Sequence, residues 1–234
     1  MAMVVVTAVA GVLAVTALGS GFRSSSGPTP EVAADATASM PSAGMVVGPP
    51  RSVGPSPAPT PAPAASMLAT GRFQAVEGRG ERAGQAGEVV EYRVEVEDGL
   101  GVEADVFADE VEATLADPRG WTKDGRFSFR RDAGASLRVV LASPGTTDEL
   151  CAPLQTRGEV SCRNGDDVVI NAVRWTEGVA YYDDLATYRQ YVVNHEVGHA
   201  LGYPHQPCQT HGAPAPVMLQ QTLGLQGCAA NPWP

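Results

Sequence analysis

The sequence predicts an α+β domain over residues 71–234, with several strands, one early helix and one long late helix. Three observations support this fold class. Period-two alternation of apolar and charged residues marks strands, and helical periodicity occurs in two well separated stretches. Apolar residues make up 44% of the chain, which is enough to form a buried core.

The first clear strand is Glu88–Glu97, in "EVVEYRVEVE", where apolar and charged residues alternate. The first helix is predicted within "VEADVFADEVEATLADPRGW". Val106, Phe107, Val111 and Leu115 recur there at helical spacing, and Pro118 ends the pattern.

Two further strands are predicted in "RFSFRR" and "SLRVVLAS", followed by a β-hairpin in "GEVSCRNGDDVVINAVRW" with a turn at Asn164-Gly165. The stretch "DDLATYRQYVVNHEVGHALG" predicts a long helix with Asp184 as its N-cap. Its apolar face comprises Leu185, Tyr188, Tyr191, Val192 and His195. The last thirty or so residues are rich in proline and glycine, so we expect irregular structure there.

The first seventy residues differ in composition from the rest. Residues 1–22 carry no charge, which fits either a membrane anchor or a signal peptide, and we favour a transmembrane anchor. Residues 23–70 contain ten of the nineteen prolines, which predicts a disordered Pro/Ala/Ser-rich linker. The folded domain is therefore expected outside the cell, on the membrane surface or secreted.

Charge and cysteine content narrow the class of protein. The net charge is −10, from sixteen basic and twenty-six acidic residues, which argues against nucleic-acid binding. Four cysteines without a C-x-x-C motif favour disulfides in an oxidising compartment. We expect Cys151–Cys162 and Cys208–Cys228, although the sequence leaves two other pairings open.

Three of the four histidines fall within "NHEVGHALGYPH". On a helix, His195 and His199 lie one turn apart on the same face, so both imidazoles can bind one metal ion. Glu196 projects beside them, where a carboxylate can accept a proton from a water held by the metal.

The pattern continues beyond the helix. Gly202 is suited to end the helix in a left-handed conformation, after which the chain can turn back and bring His205 to the same metal. Three nitrogen ligands and one water form the open tetrahedral site expected of catalytic zinc. The sequence therefore predicts one Zn²⁺ per chain, bound by His195, His199 and His205, with Glu196 as the catalytic base.

The segment "HEVGHALGYPH" resembles the signature of the metzincin zinc metalloproteases. This resemblance implies a zincin-like fold with a mixed sheet and an active-site helix. It also implies a Met-turn beneath the metal, for which Met218 in "APVM" is the candidate. The cysteines predict that the irregular C-terminal part is stapled by disulfides. The C-terminal portion further resembles a secreted or anchored actinobacterial domain family of unassigned function, through "YRQYVVNHEVGHALG", "APVM", "QQTLGL" and "NPWP".

The predicted function is zinc-dependent hydrolysis of peptide bonds by a monomer, with a peptide or protein as substrate. From the metzincin resemblance, residues 168–173 are the expected edge strand for an extended substrate. The alternative is a non-catalytic cell-envelope binding module that retains a zinc site. For Met218 a plain core role stays open, as does a fourth-ligand role for His211, although a solvated loop position suits His211 better. Tyr203 is more simply a packing residue than an oxyanion donor.

Overall fold

The structure is a computed structural model that describes residues 69–234. The predicted anchor or signal segment, residues 1–22, and nearly all of the predicted linker lie outside these residues. Within them, no helix is long and apolar enough to cross a membrane. The prediction of a transmembrane helix therefore finds no support in the part of the chain that the structure describes, and we do not retain it.

The described chain forms an α+β domain with a mixed sheet. In chain order, its elements are β1 (Phe73–Ala75), β2 (Glu88–Glu97), α1 (Ala104–Ala116), β3 (Phe127–Arg131), β4 (Leu137–Ala142), α2 (Pro144–Cys151), β5 (Cys162–Asn164), β6 (Asp167–Asn171), α3 (Ala172–Glu177) and α4 (Leu185–Ala200).

The sheet has the strand order β1-β2-β4-β6-β5, and β3 also pairs with β2. Strand β2 is parallel to both β3 and β4, and β4 is parallel to β6. The short strands β1 and β5 are antiparallel to β2 and β6. The antiparallel strand β5 therefore lies at one end of the strand order.

The two faces of the sheet are covered by different helices. Alternate side chains of β2, β4 and β6, such as Val94, Val139 and Ile170, pack with α1, α3 and α4 in the main core. The side chains between them, including Val140 and Val169, pack with the end of α2 in a smaller core. Period-two alternation thus gives each face of the central strands its own apolar layer.

Two disulfides stabilise the C-terminal part. Cys151–Cys162 joins the end of α2 to β5, and Cys208–Cys228 closes the irregular region after α4. These are the pairings that we favoured among the three that the sequence allowed. Each closes a loop of the chain and so constrains the unfolded state.

The predicted strands corresponding to β2, β3 and β4 and the two predicted helices are confirmed in position and type. Strand β2 covers the predicted residues, α1 ends at Ala116 before Pro118, and the Asp184 side chain caps α4 by accepting from the Thr187 N–H at 2.7 Å. Val106, however, is 53% exposed. The buried face of α1 is formed instead by Ala104, Phe107, Ala108, Val111 and Leu115.

The hairpin differs from its prediction in two ways. Asn164 pairs with Asp167, so the connecting residues are Gly165 and Asp166, one position later than expected. Strand β6 ends at Asn171, whose side chain accepts the N–H groups of Val173 and Arg174 and starts α3. The predicted edge strand over residues 168–173 is therefore wrong: β6 lies between β4 and β5, and β5 is the terminal strand.

Glu97 is a buried carboxylate at the end of β2 that the sequence did not single out. Its oxygens accept from the N–H groups of Ser143 at 2.7 Å and Gly71 at 3.0 Å and from the Thr146 hydroxyl at 2.7 Å. Thr70, which we had placed in the linker, also donates its N–H to Glu97. Burial raises the pKa of Glu97, but these hydrogen bonds outweigh it and hold the pKa below its usual value.

We expect Glu97→Gln to lower the free energy of unfolding at pH 7 by about 2 kcal/mol, because an amide cannot accept all of these hydrogen bonds. The pKa of Glu97 is lower in the folded protein than in the unfolded chain. Ionised Glu97 therefore stabilises the fold at pH values above its unfolded pKa, and this stabilisation is lost as the pH falls through its folded pKa. Urea unfolding between pH 7 and pH 3 should therefore show a weaker pH dependence in the variant. The exposed Glu88 supplies the control variant Glu88→Gln; an equal effect there would contradict this role of Glu97.

Candidate metal centre

Helix α4 places His195 and His199 one turn apart, beneath the end of the sheet. His195 is buried and His199 half-buried. The helix is fixed at Asn194, directly before His195: the indole N–H of Trp121 donates to the Asn194 carbonyl at 3.0 Å, and the Asn194 side-chain amide donates to the Pro232 carbonyl at 3.0 Å. These contacts leave the imidazoles on a rigid stretch of backbone.

The helix ends in a Schellman motif at Gly202. The Tyr203 N–H donates to the Gly198 carbonyl and the Gly202 N–H to the His199 carbonyl, while Gly202 adopts a φ of +89°. A Cβ at Gly202 would meet no atom within 4 Å. Glycine is therefore favoured here by its backbone conformation and not by crowding. The turn directs the chain back toward α4 and brings His205 over His199.

The three histidines converge. One ring nitrogen from each of His195, His199 and His205 lies within 4.8 Å of the other two. The Nε2 atoms of His199 and His205 are 3.0 Å apart. Two nitrogens bound to one tetrahedral zinc are separated by roughly 3.3 Å, so small side-chain movements would suffice to form the site.

Backbone carbonyls orient two of the three imidazoles. The Nδ1 of His195 lies 2.8 Å from the Val217 carbonyl, and the Nδ1 of His199 lies 2.9 Å from the Tyr203 carbonyl. A carbonyl can only accept, so each Nδ1 carries the proton and each Nε2 presents a free lone pair. This tautomer is the one that a metal ligand requires.

The imidazoles are held in the neutral form. Burial lowers the pKa of His195 to about 3. Burial also lowers the pKa values of His199 and His205, and the nearby Arg163 charge adds to the effect at His199. At neutral pH a metal ion therefore does not have to compete with a proton for these imidazoles.

Glu196 is almost fully buried beside the histidines. Burial raises its pKa to about 8, and no hydrogen bond from residues 69–234 offsets that effect. A carboxyl group in this position is poorly stabilised as an anion until a positive charge is placed next to it. Its surroundings thus suit a group that exchanges a proton rather than one that maintains a structural ion pair.

Glu196 and the histidines line an open cavity of about 410 Å³. This volume is in the range of sites that bind small molecules or short peptide segments. Its walls come from the loop after α2, from β5 and from the loop after Met218. They include Leu154, Thr156, Ser161, Arg163, Tyr191, Gln220, Thr222 and Leu223.

Met218 lies under the site helix. It is 2% exposed, and a Cβ built on Gly198 would be 2.5 Å from its sulfur and 2.7 Å from the Trp121 ring. The preceding residue, Val217, supplies the carbonyl that orients His195. Gly198, inside the histidine motif, is therefore the residue that admits Met218, a role that the motif by itself did not indicate.

We expect Met218→Ala to lower the free energy of unfolding by about 2–5 kcal/mol, because it opens a cavity against Gly198 and Trp121. Met218→Leu conserves volume and should cost under about 1.5 kcal/mol. Chemical denaturation of the zinc-free protein measures both values. Leu223→Ala, at a position 64% exposed in the same loop, is the matched control, and a cost equal to that of Met218→Ala would contradict the buried contact.

Tyr191 and Gln221 hold the Met218 loop against α4, a role that we did not predict from the sequence. The Tyr191 hydroxyl donates to the Leu219 carbonyl at 3.0 Å and accepts the Gln221 N–H at 2.8 Å. The fully buried Gln221 side chain accepts from the Tyr182 hydroxyl and the Asn231 N–H and donates to the Asn231 carbonyl. The only signal was that "QQTLGL" and "NPWP" contributed to the family resemblance.

The side chains of two other residues that we considered are not part of the cluster. His211 packs against Gly227 and is exposed, and it is not part of the metal-binding group found among residues 69–234. The Tyr203 ring stacks on Trp121 with centroids 4.7 Å apart, and its hydroxyl accepts from Arg126 at 2.8 Å. Tyr203 lines a second cavity of about 250 Å³ and not the cavity beside the histidines.

The fold and this histidine site define the class as an α+β domain with a candidate metal centre. The chain belongs to the family described as "Protein of unknown function (DUF3152)", whose model matches residues 60–233. The match begins ten residues before the end of the predicted linker. No curated protein and no solved structure matches the chain. Because the family has no assigned activity, the match gives no support to the metzincin and metalloprotease assignments, which rest on the histidine motif alone.

Proposed function

We propose that this protein is a zinc-dependent hydrolase that cleaves peptide bonds outside the cell. The observation that carries the proposal is the combination of three convergent neutral imidazoles with a buried, unpaired Glu196 at the base of one open cavity. A zincin-like fold and a metzincin-like Met-turn at Met218 are part of the same proposal.

The donor set fits zinc. Three imidazole nitrogens within 4.8 Å of one another, two of them on rings oriented by backbone carbonyls, are typical of catalytic zinc. Bound there, zinc would polarise a substrate carbonyl and lower the pKa of the attacking water. Glu196 would accept the proton of that water and deliver it to the leaving amine. Burial excludes competing solvent from the carboxyl group during this transfer.

The terminal strand β5 borders the cavity, since Cys162 and Arg163 line it. Among the described residues β5 pairs only with β6, so its outer edge is free to bind an extended peptide by β-augmentation. We therefore assign the role of edge strand for an extended substrate to Cys162–Asn164 instead of residues 168–173. The two disulfides are consistent with an oxidising compartment.

A structural zinc site would be closed by four protein ligands and would need no buried carboxyl group. Three ligands and an adjacent cavity favour catalysis over the alternative, a non-catalytic cell-envelope module. The experiment described next distinguishes this alternative from a hydrolase.

Zinc content and peptide cleavage should be measured on the same purified full chain. We expect about one zinc per chain, cleavage of members of a broad synthetic peptide library detected by mass spectrometry, loss of cleavage with a chelator and recovery with added zinc. Stoichiometric zinc without cleavage of any library peptide would favour the binding module instead.

A further inference from the structure

The cavity beside the histidines contains one cationic side chain, Arg163 of β5. Most arginines of the described chain form ion pairs, for example Arg131 with Glu112 and Arg189 with Glu110. Arg163 is exposed, and it forms no ion pair or hydrogen bond with residues 69–234. A guanidinium that faces a cavity without a partner is suited to bind an anionic ligand.

The hairpin register explains why Arg163 faces this cavity. Arg163 is paired with Val168, so both side chains project from the same face of the sheet. Val168 belongs to the core on the α4 face. Arg163 therefore projects from the edge of the sheet on the side that carries His195 and His199.

The residues on either side of Arg163 fix its backbone. Cys162 is bonded to Cys151, and the Asn164 amide donates to the carbonyls of Leu150 and Ala152, both at 2.9 Å. These anchors lie on the opposite face, toward α2. Only the Arg163 side chain of this strand is left free, on a backbone held in place for directional recognition.

The other walls of the cavity indicate what kind of anion fits. Leu154 and Leu223 line it while being 52% and 64% exposed. Exposed apolar side chains at a cavity mouth favour an organic ligand over a free inorganic anion. The chemistry that matches both features is a carboxylate carried by a peptide.

We propose that Arg163 is a specificity-determining residue that selects peptides carrying a carboxylate next to the bond held at the histidine site. This inference rests on the proposed function. The carboxylate comes either from an acidic side chain or from the peptide C-terminus, and the bidentate geometry of arginine suits both.

The test is a binding measurement with short peptide hydroxamates, whose hydroxamate group binds the zinc. Two probes differ only in Glu against Gln at the residue beside the hydroxamate, and a third carries Gln with a free C-terminal carboxylate in place of the amide. Affinities for the zinc-loaded full chain are measured by fluorescence anisotropy. We expect one or both carboxylate probes to bind about tenfold more tightly than the neutral probe, less so at high salt.

Arg163→Gln should remove this preference, and Arg163→Glu should reverse it. Arg157→Gln is the matched control, because Arg157 is an exposed arginine in the preceding loop that does not line the cavity. Equal affinities of the three probes for the wild type, or an unchanged preference in Arg163→Glu, would overturn the proposal.

Cleavage of the peptide library by the same proteins separates this proposal from the proposed function. Cleavage without an Arg163-dependent preference for carboxylates refutes the specificity role and leaves hydrolysis standing. If the probe preference depends on Arg163 but no peptide is cleaved, the recognition role is supported and the proposed hydrolase activity is refuted.

Discussion

Replacement of Glu196 by glutamine is expected to reduce peptide hydrolysis by about 10²–10⁴-fold while zinc content and thermal stability stay unchanged. Glutamine has nearly the same shape but cannot accept and release the proton. The fold should tolerate the change, because burial raises the pKa of Glu196 to about 8. In the zinc-free protein at pH 7 the side chain is therefore mostly neutral, as glutamine is.

Three measurements on one preparation test this expectation: kcat/KM on a peptide identified in the library, zinc by elemental analysis, and the melting temperature. Glu177→Gln, at the exposed end of α3, is the control and should retain activity. Full activity of Glu196→Gln would exclude Glu196 as the base, and loss of zinc would assign it to the ligand shell instead.

Replacement of His205 by alanine is expected to lower zinc affinity by more than about 100-fold, since loss of even the groups that orient a ligand costs 10–100-fold. His205 is exposed, and its ring contacts His199, so its removal disturbs no core packing. The metal-free variant should therefore unfold like the metal-free wild type. This separates loss of the metal from loss of the fold.

Zinc should stabilise the wild type against heat, by about 2.7 kcal/mol when the free metal is one hundred times Kd. The His205→Ala variant should gain much less at the same zinc concentration. His211→Ala removes an exposed histidine outside the cluster and should behave like the wild type. Retention of full zinc affinity by His205→Ala would refute the three-histidine site.

Elements with long regular patterns were predictable from the sequence. Strand β2 and helices α1 and α4 have ten or more residues each, so their periodicity is repeated often enough to be recognised. The short elements β1, α2 and α3 were not predicted. Helix α2 has eight residues, including a glycine and two threonines, and its signal is confined to the Ser143 cap and Pro144.

The order of the strands in the sheet could not be predicted from local sequence patterns. The neighbours of a strand depend on pairing between residues far apart in the chain, and the apolar run in β6 fits an edge or a central strand equally well before that pairing is known. For this reason we predicted an edge at residues 168–173, where the structure has a central strand and then α3. The exposure of Val106 has a similar cause, since the position of α1 on the sheet decides which residues it buries.

The sequence by itself determined the candidate ligands, the candidate base and the end of the site helix. His195, Glu196, His199, Gly202 and His205 lie within eleven residues, so helix geometry and one left-handed glycine relate them without reference to the rest of the fold. Only the tertiary structure decided what surrounds them. Met218 meets Gly198, Tyr191 binds the Met218 loop, and Arg163 enters the cavity. These contacts join segments separated by many residues, and they form only when the sheet, α4 and the C-terminal loop pack together.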